Sequence, residues 1–187
     1  MINLKKTGLP EAVEVDGDLY PVYTSFKFWI RFFELLANKN TPPDDFDFMY
    51  STVAKPQSRL NGVIALVQFG NPPQELPRTQ GDDPEKVVDY AVDADYIYAA
   101  FMEQYGIDLI KSDMHWYEFQ ALFKGLHDTK LNEIIGYRLY ENTSGKPDAY
   151  TRQMEKLRSA WELPQDNEEE DEALKEFEAK LYPGGEK

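Results

Sequence analysis

The chain contains no cysteine, which excludes a disulfide framework, a thiolate metal site and a cysteine nucleophile. Histidine is nearly absent too: His115 and His127 stand alone, without the HExxH-like spacing of a zinc pair. No apolar run approaches the roughly 20 residues that a membrane-spanning helix needs. The opening MINLKKTGLPEAVEV lacks the apolar core of a signal peptide. Basic clusters are scarce, Lys5-Lys6 being the densest in 187 residues of net charge −14. Phosphate repulsion therefore argues against nucleic acid as a partner. GxGxxG, GxxxxGK[ST] and GxSxG are all missing. Neither a membrane nor a nucleic-acid partner is expected, and an intracellular place of work follows.

What is present is enough for one core. The chain is 42% hydrophobic and 14% aromatic, with 29% charged residues to keep it in solution. The patterning predicts a mainly α protein, a compact multi-helix domain over residues 1–164 with a small N-terminal β-hairpin at about 12–23. In the hairpin, Asp16-Gly17 supplies the positive φ angles of a tight turn between alternating apolar residues. Pro21 confines its second strand to an edge. Phe26 to Ala37 reads as the central core helix, with Thr24 or Ser25 as its cap, Phe26, Ile30, Phe33 and Ala37 on one stripe and Trp29, Phe32 and Leu36 widening it. Asn38 to Asp47 reads as a loop and Phe46 to Val53 as a short helix; Leu60 to Phe69 reads as helix rather than strand on its ten-residue length and the spacing of Leu60, Ile64 and Val67.

The next helix is expected to open at Asp83-Pro84-Glu85 and run to Tyr105, with Gly106 as its stop. A further helix capped by Ser112 or Asp113 carries Trp116, Phe119, Leu122, Phe123 and Leu126 inward, with Tyr117 and Lys124 on the opposite side. After Gly125 a helix resumes with Leu131, Ile134, Ile135 and Leu139, and Arg138 at its margin must snorkel or pair with a carboxylate. NTSGK (Asn142 to Lys146) is a turn. Pro147 opens a last helix to about Leu163, on which Tyr150, Met154, Leu157 and Trp161 recur as a packing seam. Residues 165–187 hold nine acidic residues against three lysines, an acidic tail with a marginal, frayed helix at most.

Candidate chemistry is thin. His115 falls at the edge of an apolar stripe and reads as a hydrogen-bonded packing residue; His127, beside Asp128, reads as a helix-end residue. Asp44, Asp45 and Asp47, or Asp93 and Asp95, lack the glycine and terminal glutamate of a calcium loop. No catalytic residue, metal ligand or cofactor is expected, and the protein reads as a non-enzyme. The aromatics carry more information. Tyr96, Ala99, Tyr117, Tyr137 and Tyr140 lie off or beside the main apolar stripes, as interface anchors or as residues buried against an unseen element.

The segment DADYIYAAFMEQYGIDLIKSDMHWYEFQALFKGL, followed by TKLNEIIGYRLY, resembles the bacteriophage gene-product-fifteen family, encoded in tail-gene clusters of phages and prophages of Gram-positive bacteria. The resemblance rests on YGIDL (Tyr105 to Leu109), DMHWYEF (Asp113 to Phe119), IIGYR (Ile134 to Arg138) and KLRSAWELP (Lys156 to Pro164). It implies a tail-assembly chaperone in the host bacterial cytoplasm that binds other phage tail proteins, the tape-measure protein first among them, with self-association as a further possibility. The alternative it implies is a structural virion component of the tail or connector. It implies no catalytic residues.

Overall fold

The computed structural model describes residues 2–38, 40–71, 87–142 and 148–164. The chain divides into two compact units, Met1–Ile135 and Gly136–Lys187, and the division falls within a helix. The fold is mainly α with a two-stranded antiparallel hairpin, as the patterning predicts. The expected opening of a helix at Asp83, most of the NTSGK turn and the acidic tail lie outside the described residues.

In the first unit, β1 (Ala12–Val15) pairs with β2 (Asp18–Pro21) around Asp16 and Gly17, whose φ angles are 53° and 90°. Val13 and Val15 face the core and Glu14 faces solvent, the period-two signature of a half-buried strand. Beyond Pro21 the strand does not end as an open edge: Val22 bridges Tyr50, and Ser51 N–H donates to the Pro21 carbonyl at 3.0 Å. The hairpin is thereby attached to the core, which a lone hairpin in water needs.

Helix α1 (Phe26–Ala37) buries Phe26, Trp29 and Phe32, all within the expected apolar face, while Ile30 and Phe33 are half-buried and Ala37 is exposed. Ser25 occupies the N-cap position but makes no capping hydrogen bond. A 3₁₀ helix at Pro43–Met49, with proline at its first position, replaces the expected loop and later short helix. It brings Phe46 and Met49 into the core.

Helix α2 (Arg59–Gly70) forms as expected, capped by Ser58 Oγ on Asn61 N–H. Leu60 and Ile64 are 61% and 47% exposed, while Gly62, Leu66, Phe69 and Gly70 are buried. The inward face combines Leu66 and Phe69 with two glycines, which let aromatic rings approach the helix backbone. The Tyr50 ring lies against Gly62, where an added Cβ would stand 2.5 Å from the Tyr50 hydroxyl. That hydroxyl is buried without a hydrogen-bond partner, and burial, then the Asp47 carboxylate, pushes its pKa up to about 12.

Two expectations follow. Tyr50→Phe removes an unsatisfied buried group and is stability-neutral or stabilising by up to ~1 kcal/mol. Gly62→Ala costs ~2 kcal/mol through overpacking, and in the Tyr50→Phe background most of that cost disappears. Urea midpoints of the four proteins in this cycle check it; additive costs would show that the hydroxyl is not what the methyl meets.

Helix α3 (Ala94–Tyr105) begins later than expected, because Val87 to Asp89 are irregular and Tyr90 to Asp93 form a turn, with Asp89 Oδ1 accepting from Ala91 and Val92 N–H. It ends on Gly106 at φ 66°, whose N–H returns to the Met102 carbonyl at 3.1 Å, the 5→1 bond of an αL stop, and Ile107 N–H reaches the Phe101 carbonyl at 3.3 Å. Helices α4 (Trp116–Gly125) and α5 (Lys130–Arg138) follow. The core of this unit is a run of rings: Phe26 stacks on Phe119 at 4.8 Å, Phe119 on Phe101 at 5.3 Å, and Trp29 on Phe69 at 4.9 Å.

In the second unit α6 (Ala149–Trp161) is capped by Asp148, whose Oδ1 accepts from Thr151 N–H at 2.7 Å and whose carboxyl that bond holds below its ordinary range. Arg138 Nε donates to the Trp161 carbonyl at 2.6 Å, which answers the expectation that this guanidinium must find a partner. Of the expected seam, Tyr150 is 64% exposed and Met154, Leu157 and Trp161 are half-buried.

Candidate docking groove on the α4 face

The DMHWYEF segment is built before it is displayed. Residues Met114 to Trp116 run extended beside Thr24 to Phe26: Phe26 N–H donates to Met114 O at 3.1 Å and Trp116 N–H to Thr24 O at 2.7 Å. That pairing keeps the chain out of helical geometry until Trp116, so the cap is His115 and not the expected Ser112 or Asp113. His115 Nδ1 accepts from Tyr117 N–H at 3.0 Å, and Glu118 Oε2 accepts from His115 N–H at 3.0 Å, completing a reciprocal capping box. On the other side of the ring, Nε2 lies 2.9 Å from the Pro10 carbonyl. A backbone N–H can only donate and a carbonyl only accept, so the ring is the neutral tautomer with its proton on Nε2.

His115→Ala should therefore cost ~1–2 kcal/mol, and His115→Asn should recover most of it, since asparagine caps helices well. The asparagine variant should still lose the link to Pro10, read as faster amide exchange at Glu11 to Val13. Equal loss in both variants would mean that the Pro10 link, not the cap, dominates.

The same segment closes the end of α2. Trp116 Nε1 donates to the Gly70 carbonyl at 2.9 Å, Gln120 Nε2 to the same oxygen at 3.1 Å, and Tyr117 Oη to the Phe69 carbonyl at 2.9 Å. Helix-end carbonyls that the helix itself cannot satisfy are thus capped by side chains of another helix. Tyr117, expected on the outward side, is 5% exposed, and burial raises its hydroxyl to about 12. The reason is that α4 is packed on two faces, against the ring cluster and against the end of α2. From the other side, Tyr105 Oη donates to Leu122 O at 2.9 Å and Gln104 Nε2 to Gly125 O at 3.1 Å, so YGIDL's helix end holds the C-terminus of α4. His127 N–H donates to Gln104 Oε1 at 3.1 Å, a helix-end role as expected.

What remains outward on α4 borders a groove of about 470 Å³. Its apolar lining is Ile2, Ile107, Met114, Ala121 and Leu122, and Ser112 and Glu118 supply the polar side chains. Ile107 and Met114 come from the connection between α3 and α4, Ala121 and Leu122 from α4 itself, and Ile2 from the N-terminal arm. Just beside it, Ile110 is exposed, Lys27 Nζ donates to the Ile110 carbonyl at 2.8 Å, and Lys111 pairs with Asp108 at 2.8 Å.

None of the residues singled out from the sequence lines this groove. Ala99 is exposed on α3, and Tyr96 is half-buried against the core of the first unit. Tyr137 and Tyr140 are half-buried in the second unit, where Tyr140 meets Tyr150 edge-on at 6.3 Å. The groove residues escaped because Leu122 reads as core stripe, Ile107 as a linking turn and Ala121 as nothing in particular. Their one signal is the spacing of Glu118, Ala121 and Leu122 on α4, a second helical stripe beside the buried one.

Among the described residues no group of three or more histidine or acidic side chains could hold a metal ion, and no helix is long and apolar enough to cross a membrane. Asp44 and Asp47 instead face the Arg59 guanidinium at 3.4 and 2.9 Å, and Asp93 is wholly buried with Oδ2 accepting from Asp89 N–H. Neither curated proteins nor solved structures include a match to this chain. Residues 6–163 match the family model described as Bacteriophage Gp15 protein, which takes in every described helix and the hairpin. The chain is therefore a phage protein and belongs to the Bacteriophage Gp15 protein family.

Proposed function

We propose that the protein is a non-enzymatic factor of phage tail morphogenesis, a tail-assembly chaperone that works in the host cytoplasm and holds the tape-measure protein in solution. The observation that carries this reading is the open apolar groove on α4, set in the segment through which the chain resembles its family. A long helical client with an apolar stripe needs such a surface, and helix-in-groove contact is the matching recognition mode. The charge of −14 keeps the complex soluble while an apolar client is held.

Co-expression with the tape-measure protein of the same gene cluster tests the proposal. The expected result is a soluble complex that co-purifies. A tape measure that stays insoluble, with no complex recovered, overturns it. Mass spectrometry of purified particles separates a chaperone from a virion component, because the chaperone is absent from the finished particle.

A further inference from the structure

The groove's lining says what kind of segment it takes. Its walls are aliphatic and thioether side chains from three stretches of chain, Ile2, the Ile107 to Met114 connection, and α4. Its volume of about 470 Å³ lies within the roughly 300–1,000 Å³ of ordinary binding clefts. A small-molecule site would bring several polar groups together around an enclosed space. This groove is open and, among the described residues, its polar side chains are Ser112 and Glu118, which suits a row of side chains on a polymer.

Glu118 gives the row a polarity. Its carboxylate is exposed, and Oε2 accepts the His115 N–H, which fixes the side chain in place. Two cations of the surrounding chain are already engaged, Lys111 with Asp108 and Lys27 with the Ile110 carbonyl. A preorganised carboxylate at the side of an apolar slot is an acceptor for a lysine or arginine. The long-range field of a chain of net charge −14 draws the same partner.

We infer that the α4 groove binds a helix of a partner protein that presents an aliphatic stripe with a lysine or arginine at its border, the base meeting Glu118 and the stripe lying against Met114, Ala121 and Leu122. The inference deepens the assembly-factor reading and rests on it for the partner's identity; its test needs no phage protein.

The test uses the full chain and three synthetic amphipathic helical peptides with the same leucine stripe, bordered by lysine, by glutamine or by glutamate. Affinity is read by fluorescence anisotropy and seating by the NMR shift of the Met114 methyl group. The lysine peptide should bind most tightly and move the Met114 methyl. Glu118→Gln retains an acceptor for the capping box, so the fold survives. It should weaken the lysine peptide about fivefold, the scale of one exposed ion pair, and leave the glutamine peptide unchanged. Ala121→Glu, at an exposed helix position, should abolish binding of the glutamine peptide by placing a charge in the slot. Unchanged affinity of the lysine peptide for Glu118→Gln, or a glutamate peptide that binds equally well, overturns the inference. So does binding that leaves the Met114 methyl unmoved. If the peptides behave as expected but the tape measure does not co-purify, the groove stands and the chaperone reading falls.

Discussion

Trp116→Ala is expected to cost about 4–5 kcal/mol, the upper part of the range for emptying a tryptophan site in a packed core. Three effects act together at this residue. The ring is 1% exposed and sits among Trp29, Phe33 and Phe119, with centroids at 6.2, 5.6 and 5.7 Å. Its loss leaves a cavity lined by rigid rings that cannot easily collapse. It also removes one of two donors to the Gly70 carbonyl, leaving Gln120 to hold the end of α2 alone. Because a domain's total stability is only about 5–15 kcal/mol, this loss takes about a quarter or more of it. Trp116→Phe separates the effects. It retains most of the ring and deletes the donor, and should cost about 1–2 kcal/mol. Urea unfolding followed by circular dichroism measures both; a loss below ~1.5 kcal/mol for the alanine variant would show that the aromatic cluster refills the space.

Gly70→Ala is the second large effect, and here two principles predict opposite signs. Helix propensity favours alanine over glycine in a helix interior by about 1 kcal/mol. Packing opposes it: the added Cβ would stand 2.7 Å from Phe33 Cζ and 2.9 Å from Trp29 Cζ3. The Trp29 ring cannot swing away, since it is fully buried and its Nε1 donates to the Tyr23 carbonyl at 3.0 Å, whereas Phe33 is half-buried. Overpacking of this kind costs about 1–3 kcal/mol, and the pinned Trp29 ring puts the expected net loss near ~2 kcal/mol. For a chain of this size that is a fall of roughly 4–8 °C in Tm. A rise in Tm would mean that the α2 end moves away from α1 at little cost, and the close approach would lose its explanatory weight. Adding Phe33→Leu should return part of the loss, because the shorter side chain makes room for the methyl group.

Much of the element order was legible from periodicity and punctuation. The hairpin turn at Asp16-Gly17, the spans of α1 and α2 and the Gly106 stop all follow from local chemistry that tertiary contacts do not override. Faces were harder. On α2 the large residues Leu60 and Ile64 point outward, and the inward face pairs Leu66 and Phe69 with Gly62 and Gly70, at which a ring can come close to the backbone. On α4 a wheel shows one buried stripe, yet Tyr117 is buried on another side against the end of α2. The start of α4 depends on a β-bridge to Ser25, ninety residues earlier in sequence, and no local signal marks it. The groove is opaque for the same reason. Ile2 reaches it from the far end of the chain, and Met114 precedes the helix whose outward stripe it extends. The residues through which the family resemblance is recognised are therefore mostly structural. Trp116 and Tyr117 hold α2, His115 holds Pro10 and the helix start, and only Met114 and Glu118 of that run reach the groove.

The measurement that most directly tests this division of labour is a methionine oxidation footprint of the complex co-purified with the tape-measure protein. Oxidation of a methionine follows its exposure, and two methionines report on two different surfaces. Met114 lines the groove, and Met102, 42% exposed, lies on the outward side of α3 one turn from Ala99. The account predicts that complex formation slows oxidation of Met114 and leaves Met102 at its free rate. Protection of Met102 with Met114 unchanged would contradict it and move the binding surface to the face of α3 that carries Ala99.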